Sequence, residues 1–128
     1  MSAEQRYGAK QYARIAMISS SPYERLDKLY SGAIRFARQG RREALNGEEA
    51  LARHCATKLI AIIRRLEVCL DHRMAPALSV NLARLYGHMQ ARLAKPDTSL
   101  SPDAFEEALN LLNTLWDGFQ AAEQQPQK

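Results

Sequence analysis

Few side chains in this sequence could do chemistry, and their spacing limits what that chemistry could be. His54, Cys55, Cys69 and His72 are the residues that could hold zinc, with Cys69 and His72 one helical turn apart. Cys55 and Cys69, however, stand fourteen residues apart on one expected helix, a rise of ~21 Å. Metal bonds of ~2.3 Å cannot bring both to one ion, and no disulfide spans that distance. Both fall on an apolar stripe and read as buried thiols. A di-iron site in a helix bundle needs Glu-x-x-His on two helices, and no Glu precedes His54, His72 or His88 by three. The glycines, at 8, 32, 40, 47, 87 and 118, are scattered, so no loop cradles a phosphate. No Ser or Cys stands in a recognisable nucleophile spacing to a histidine. Glu67 and Asp71 lie four apart beside Arg64, Arg65 and Arg73, the pattern of ordinary surface pairs. The expectation is a binding protein with no catalytic residue, no metal and no cofactor, and not an enzyme.

The elements that carry these residues are legible from punctuation and periodicity. None of Pro22, Pro76, Pro96, Pro102 and Pro126 interrupts a helical apolar pattern, and proline is tolerated in a first helical turn but not inside a helix. Ser21-Pro22-Tyr23-Glu24 reads as a capping box. Ser101-Pro102-Asp103 repeats the pattern of N-cap, proline and early acid, and Asn46-Gly47 is a stop. Helices are predicted over about 22–45, 48–73, 76–95 and 102–122. Their stripes are Leu26, Leu29, Tyr30, Ala33, Ala37 and Ala44; Leu51, Cys55, Leu59, Ile62, Leu66 and Cys69; Leu78, Leu82, Leu85, Met89 and Leu93; and Phe105, Leu109, Leu112, Trp116 and Phe119. Four stripes joined by short connections predict an all-α fold, an antiparallel four-helix bundle. Residues 1–21 read as a mobile N-terminal arm or short extra helix, and 123–128 as a disordered tail.

Composition agrees with one soluble domain. The 128 residues are 46% apolar, 25% charged and 7% aromatic, enough to bury a single core. The longest aliphatic run, Leu59 to Ile63, is far short of a membrane span. Residues 1–20 carry no secretory pattern, and two cysteines fit a reducing compartment, so a cytoplasmic location without membrane insertion is expected. The net charge of +4 collects partly on the first helix, as Lys28, Arg35, Arg38 and Arg42 beside Gln39. Without interleaved aromatics or helix-turn-helix spacing this reads as a solvated face, with no nucleic acid as partner.

Two other surfaces suggest a partner. The second helix has a further apolar facet, Ala56, Ile60 and Ile63. The third shows Val80, Ala83, Gly87, Ala91 and Ala94 opposite its core stripe, small side chains over which another helix could approach closely. Together they predict a shallow groove for an amphipathic partner helix. Tyr12, Ile15 and Ile18 of the arm are expected to rest on that groove and leave when the partner arrives.

Two blocks of residues carry a resemblance. Leu29-Tyr30-x-Gly32-Ala33-Ile34-Arg35-Phe36 is close to the L-Y-x-G-A-[IL]-[RK]-F of the FliS family of flagellin-specific export chaperones. Asn81-Leu82-x-x-Leu85-Tyr86-x-x-Met89-x-x-Arg92-Leu93 matches that family's N-L-x-x-L-Y-x-Y-M-x-x-R-L in all but one aromatic. Tyr12-Ala13-Arg14-Ile15 is similar to the family's Y-x-Q-x segment, and the fourth helix closes in aromatics like the family's L-x-x-x-W. The resemblance implies a cytoplasmic helical bundle that binds the disordered C-terminal segment of flagellin, prevents premature polymerisation and delivers its client to the flagellar export gate. It also implies an arm able to cover a client groove. The sequence departs from the pattern at Arg25, Asp27 and Lys28, where the family has aliphatics. It departs again at Gly87, His88 and Ala91, and at Lys95-Pro96-Asp97. The alternative is a non-catalytic helical adaptor for another late flagellar export substrate, with a homodimer as a further possible assembly.

Overall fold

The computed structural model describes residues 22–70, 76–95 and 101–124. Among these the chain forms four helices: α1 (Pro22–Leu45), α2 (Glu49–Val68), α3 (Pro76–Leu93) and α4 (Pro102–Gln124). The predicted antiparallel bundle is what forms. Each of α1 and α3 packs against both α2 and α4, whereas α1 and α3 face each other across the diagonal.

Local chemistry sets the ends. At the α1–α2 turn Gly47 adopts φ 74°, a left-handed conformation that glycine enters without steric cost. The Gly47 N–H donates to the Ala44 carbonyl at 3.2 Å and the Glu48 N–H to the Glu43 carbonyl at 2.9 Å. This pair of bonds is the Schellman closure of a helix C-terminus. At α4 the Ser101 hydroxyl accepts from the Asp103 N–H at 3.1 Å, which satisfies one of the unpaired donors of the first turn. The Ser21 half of the expected capping box lies outside the described residues.

Two boundaries differ from expectation. Helix α2 ends at Val68 rather than 73, because the Leu70 N–H folds back on the Glu67 carbonyl at 3.1 Å and tightens the last turn. Helix α4 runs to Gln124, two residues into the segment read as tail.

The core is one cluster drawn from all four helices. Leu26, Tyr30, Ala33 and Ala37 of α1 meet Leu59 and Ile63 of α2, Leu82 and Met89 of α3, and Phe105 and Leu112 of α4. Each fully buried aliphatic or aromatic side chain contributes about 1.5–3 kcal/mol of transfer free energy. Glycine lets α1 sit close to its neighbours. A methyl at Gly40 would fall inside the Phe105 ring, and one at Gly32 would sit 3.3 Å from Ile62 Cδ1. Among the described residues no helix is long and apolar enough to cross a membrane.

Candidate partner-binding faces

The centre of the bundle is an aromatic and phenolic cluster. Tyr30 of α1 stacks on Trp116 of α4, with centroids 5.3 Å apart and ring planes 17° apart. Tyr23, two turns earlier on α1, stacks on the same indole at 5.4 Å, and Phe119 lies against Tyr30 at 5.8 Å. The Tyr30 hydroxyl reaches across the diagonal to the Tyr86 hydroxyl of α3 at 2.5 Å, one donating and the other accepting. Burial holds the Tyr86 phenol well above its usual pKa, and the bond to Tyr30 offsets this only in part. The Tyr86 hydroxyl therefore stays protonated at any physiological pH. The cluster has a structural meaning: it fixes α3 against α1 without direct packing of the two backbones.

On this frame α3 turns a second face outward. Val80 is 59% exposed, Gly87, Ala91 and Ala94 are exposed, and Ala83 is half-buried. From Val80 to Ala94 the stripe rises by fourteen residue steps, or ~21 Å of helix. A methyl added at Gly87 would meet nothing within 4 Å. The surface is open there and apolar, without bulky side chains to hold a second helix away.

The facet expected on α2 is corrected. Ala56 is 2% and Ile63 0% exposed, so both belong to the core, and Ile60 is half-buried. Because α2 is wedged between α1 and α3, it buries a broader apolar arc than a helix with one neighbour. Leu51, expected in the core, is 51% exposed. The groove read jointly from α2 and α3 thus reduces to the outer face of α3 with Val80, Ala83, Gly87 and Ala91. The arm residues Tyr12, Ile15 and Ile18 lie outside the described residues.

Polar contacts tie α3 to its neighbours. The Arg53 guanidinium at the start of α2 donates to the Lys95 carbonyl beyond the end of α3 at 2.8 Å. Glu107 of α4 accepts from Arg92 of α3 at 2.5 Å and, through its other oxygen, meets His88 Nε2. Sequence reasoning missed this contact. Arg92 and His88 were each visible, four apart on one face, but only the pairing of α3 with α4 brings Glu107 between them.

The basic strip of α1 also acquires a setting. Arg35, Arg38, Arg41 and Arg42 line an open trough of about 960 Å³ whose other wall is Leu109 and Asn113 of α4. Lys28, expected in the same strip, is exposed but does not line it. The cysteines are apart and unpaired, Cys55 in the core and Cys69 half-buried. Burial raises both thiol pKa values; beside Cys55 the Glu43 carboxylate adds to the effect and Arg42 works against it. Among the described residues no cluster of three or more His, Cys, Asp or Glu is placed to hold a metal ion.

The fold defines the class, an all-α antiparallel bundle of four helices. Two blocks of residues meet at its centre: Leu29 to Phe36 supplies Tyr30, and Asn81 to Leu93 supplies Tyr86. The chain belongs to the FliS family, matching the model of the flagellar protein FliS over residues 4–126. Among curated relatives, the flagellar secretion chaperone FliS of Salmonella typhimurium strain LT2 is 28% identical over 113 residues, which cover 84% of each chain.

Proposed function

We propose that the chain is a cytoplasmic, non-catalytic secretion chaperone of the flagellar export system whose client is flagellin. It holds the flagellin C-terminal segment, keeps it from polymerising early and presents it to the export gate. The observation that carries this reading is the family match over residues 4–126, supported by a relative whose name is flagellar secretion chaperone. The α3 face fits the role physically. An amphipathic client helix gains apolar burial on Val80 and Ala83 and close backbone approach over Gly87 and Ala91. In the free protein the arm residues Tyr12, Ile15 and Ile18 compete for this face, lowering apparent client affinity by the fraction of time it is closed.

The test is co-elution of the full chain with its host's flagellin C-terminal segment, followed by titration calorimetry. Gly87→Arg should weaken binding by about tenfold or more, roughly 1.4 kcal/mol, with an unchanged helical circular dichroism spectrum. If flagellin fails to co-elute and another late flagellar substrate succeeds, the chaperone reading stands with a different client. Tight flagellin binding that Gly87→Arg leaves untouched would move the client site off α3.

A further inference from the structure

We propose that the trough between α1 and α4 is a second docking surface, shaped for an acidic amphipathic helix of a partner protein. It lies along α1, diagonally across the bundle from α3, so it does not share the client face proposed above and stands independently of that reading.

Among the described residues the charge on this wall is barely countered. Arg35, Arg38 and Arg42 are all exposed, and among the described residues no carboxylate lines the trough. Among the described residues Arg38 and Arg42 have no ion-pair partner, and Arg41 meets Glu106 only at 3.9 Å. Like charges three and four apart on one helix repel. The chain thus maintains a self-repelling row of guanidinium groups that an external anion would relieve.

The geometry selects the kind of anion. Arg35, Arg38 and Arg42 follow one another over seven residue steps of α1, a rise of ~10.5 Å. They are strung along the trough rather than gathered at a point, which suits a line of carboxylates better than one phosphate or one dicarboxylate. A partner helix with acids at i, i+3 and i+7 has the same rise and can set each carboxylate against one guanidinium, with the bidentate geometry that arginine favours. Between the charged rows lie Ile34, 9% exposed, and the half-buried Leu109. This apolar base gives an aliphatic side chain of the partner a place to bury, while Gln39 and Asn113 at the sides satisfy polar groups. Nucleic acid fits less well. Among the described residues no aromatic side chain lines the trough for base stacking, and a phosphate backbone has no use for the Ile34–Leu109 base.

The experiment is fluorescence anisotropy of the full chain with a labelled synthetic helix-forming peptide of about 14 residues. The peptide carries Glu at i, i+3 and i+7 around a central Leu. A scrambled peptide of identical composition and a single-stranded oligonucleotide of equal charge serve as comparisons. The expected result is binding that weakens as salt rises from about 50 to about 300 mM. It should fall by about tenfold or more in the Arg38→Glu/Arg42→Glu double variant and be unchanged in Gly87→Arg. The scrambled peptide should bind about tenfold more weakly. Both substituted arginines are exposed, so circular dichroism should show the variant folded. The Arg38→Gln/Arg42→Gln variant, which removes charge without reversing it, should show a smaller loss in the same direction. The proposal is overturned if the two peptides bind equally, if the double variant leaves binding intact, or if neither peptide binds. It is also overturned if the oligonucleotide binds better than the patterned peptide, or if sedimentation shows a homodimer that the double variant abolishes.

Discussion

Helices α1 and α3 stand diagonally opposite in one bundle and are held by different means. Helix α1 is gripped on two sides by close packing, with Gly32 against Ile62, Gly40 against the Phe105 ring, and Tyr23 and Tyr30 stacked on Trp116. Helix α3 buries Ser79, Leu82, Tyr86, Met89 and Leu93. Its remaining ties are polar: the Arg53–Lys95 bond, the Glu107 pairings, and the tyrosine bond at its midpoint. Packing of the first kind resists local opening because any displacement opens voids or forces clashes. Apart from the buried tyrosine bond, these ties lie at or near the surface, where polar contacts cost little to exchange for water. A frame of α1, α2 and α4 therefore carries an α3 held more lightly, which is the helix with the open small-residue face.

This contrast can be broken experimentally, starting at the frame. Trp116→Ala should destabilise the protein by about 3–5 kcal/mol in chemical denaturation, since it removes the indole on which both tyrosines stack. Gly40→Ala should cost about 1–3 kcal/mol, because the Phe105 ring must move within a filled core; a neutral result would mean that α1 and α4 have slack there. Tyr86→Phe should cost about 0.5–1.5 kcal/mol. Hydrogen exchange should quicken in α3 before α1, and equal acceleration in both would erase the distinction. Glu107→Gln, which acts on partly exposed groups, should cost no more than about 1 kcal/mol and show its effect mainly in α3 amides.

The same contrast explains what could be read in advance. On α1 the stripe Leu26, Leu29, Tyr30, Ala33 and Ala37 is the buried face, with Ala44 only half-buried. On α4, Phe105, Leu112, Trp116 and Phe119 are buried as predicted. On these helices large apolar residues occupy one arc, so periodicity has a single solution. Helix α2 has apolar residues on several arcs, and its buried positions are 52, 55, 56, 59, 63 and 66. Of the expected stripe, Cys55, Leu59 and Leu66 are buried, whereas Leu51, Ile62 and Cys69 fall beside the buried arc, and only contact with the neighbouring helices decides its centre. On α3, Leu78 and Leu85 are half-buried, whereas Tyr86 and Ser79 are fully buried. A tyrosine that finds a partner for its hydroxyl can lie deeper than a leucine, and the pattern gives no sign of that partner. The exposed small-residue stripe was legible because small side chains at helical spacing need no knowledge of neighbours. The arginine strip was legible too, but half of its apolar base, Leu109, came from α4, far along the chain.

The turn at Asn46-Gly47 has a consequence for the order in which the molecule is made. Helices α1 and α2 are joined by three residues and pack extensively on each other, so their pairing closes the shortest loop in the bundle and should form early. The opposite flank of α1 waits for Phe105, Trp116 and Phe119, which leave the ribosome later. During synthesis the hairpin must persist with Tyr23, Tyr30 and Ala37 facing water until α4 arrives. The newborn chain thus shows a sticky aromatic flank of its own for several seconds at ordinary rates of translation. A ribosome-bound chain halted before residue 102 should bind more of a hydrophobic dye than the finished protein does.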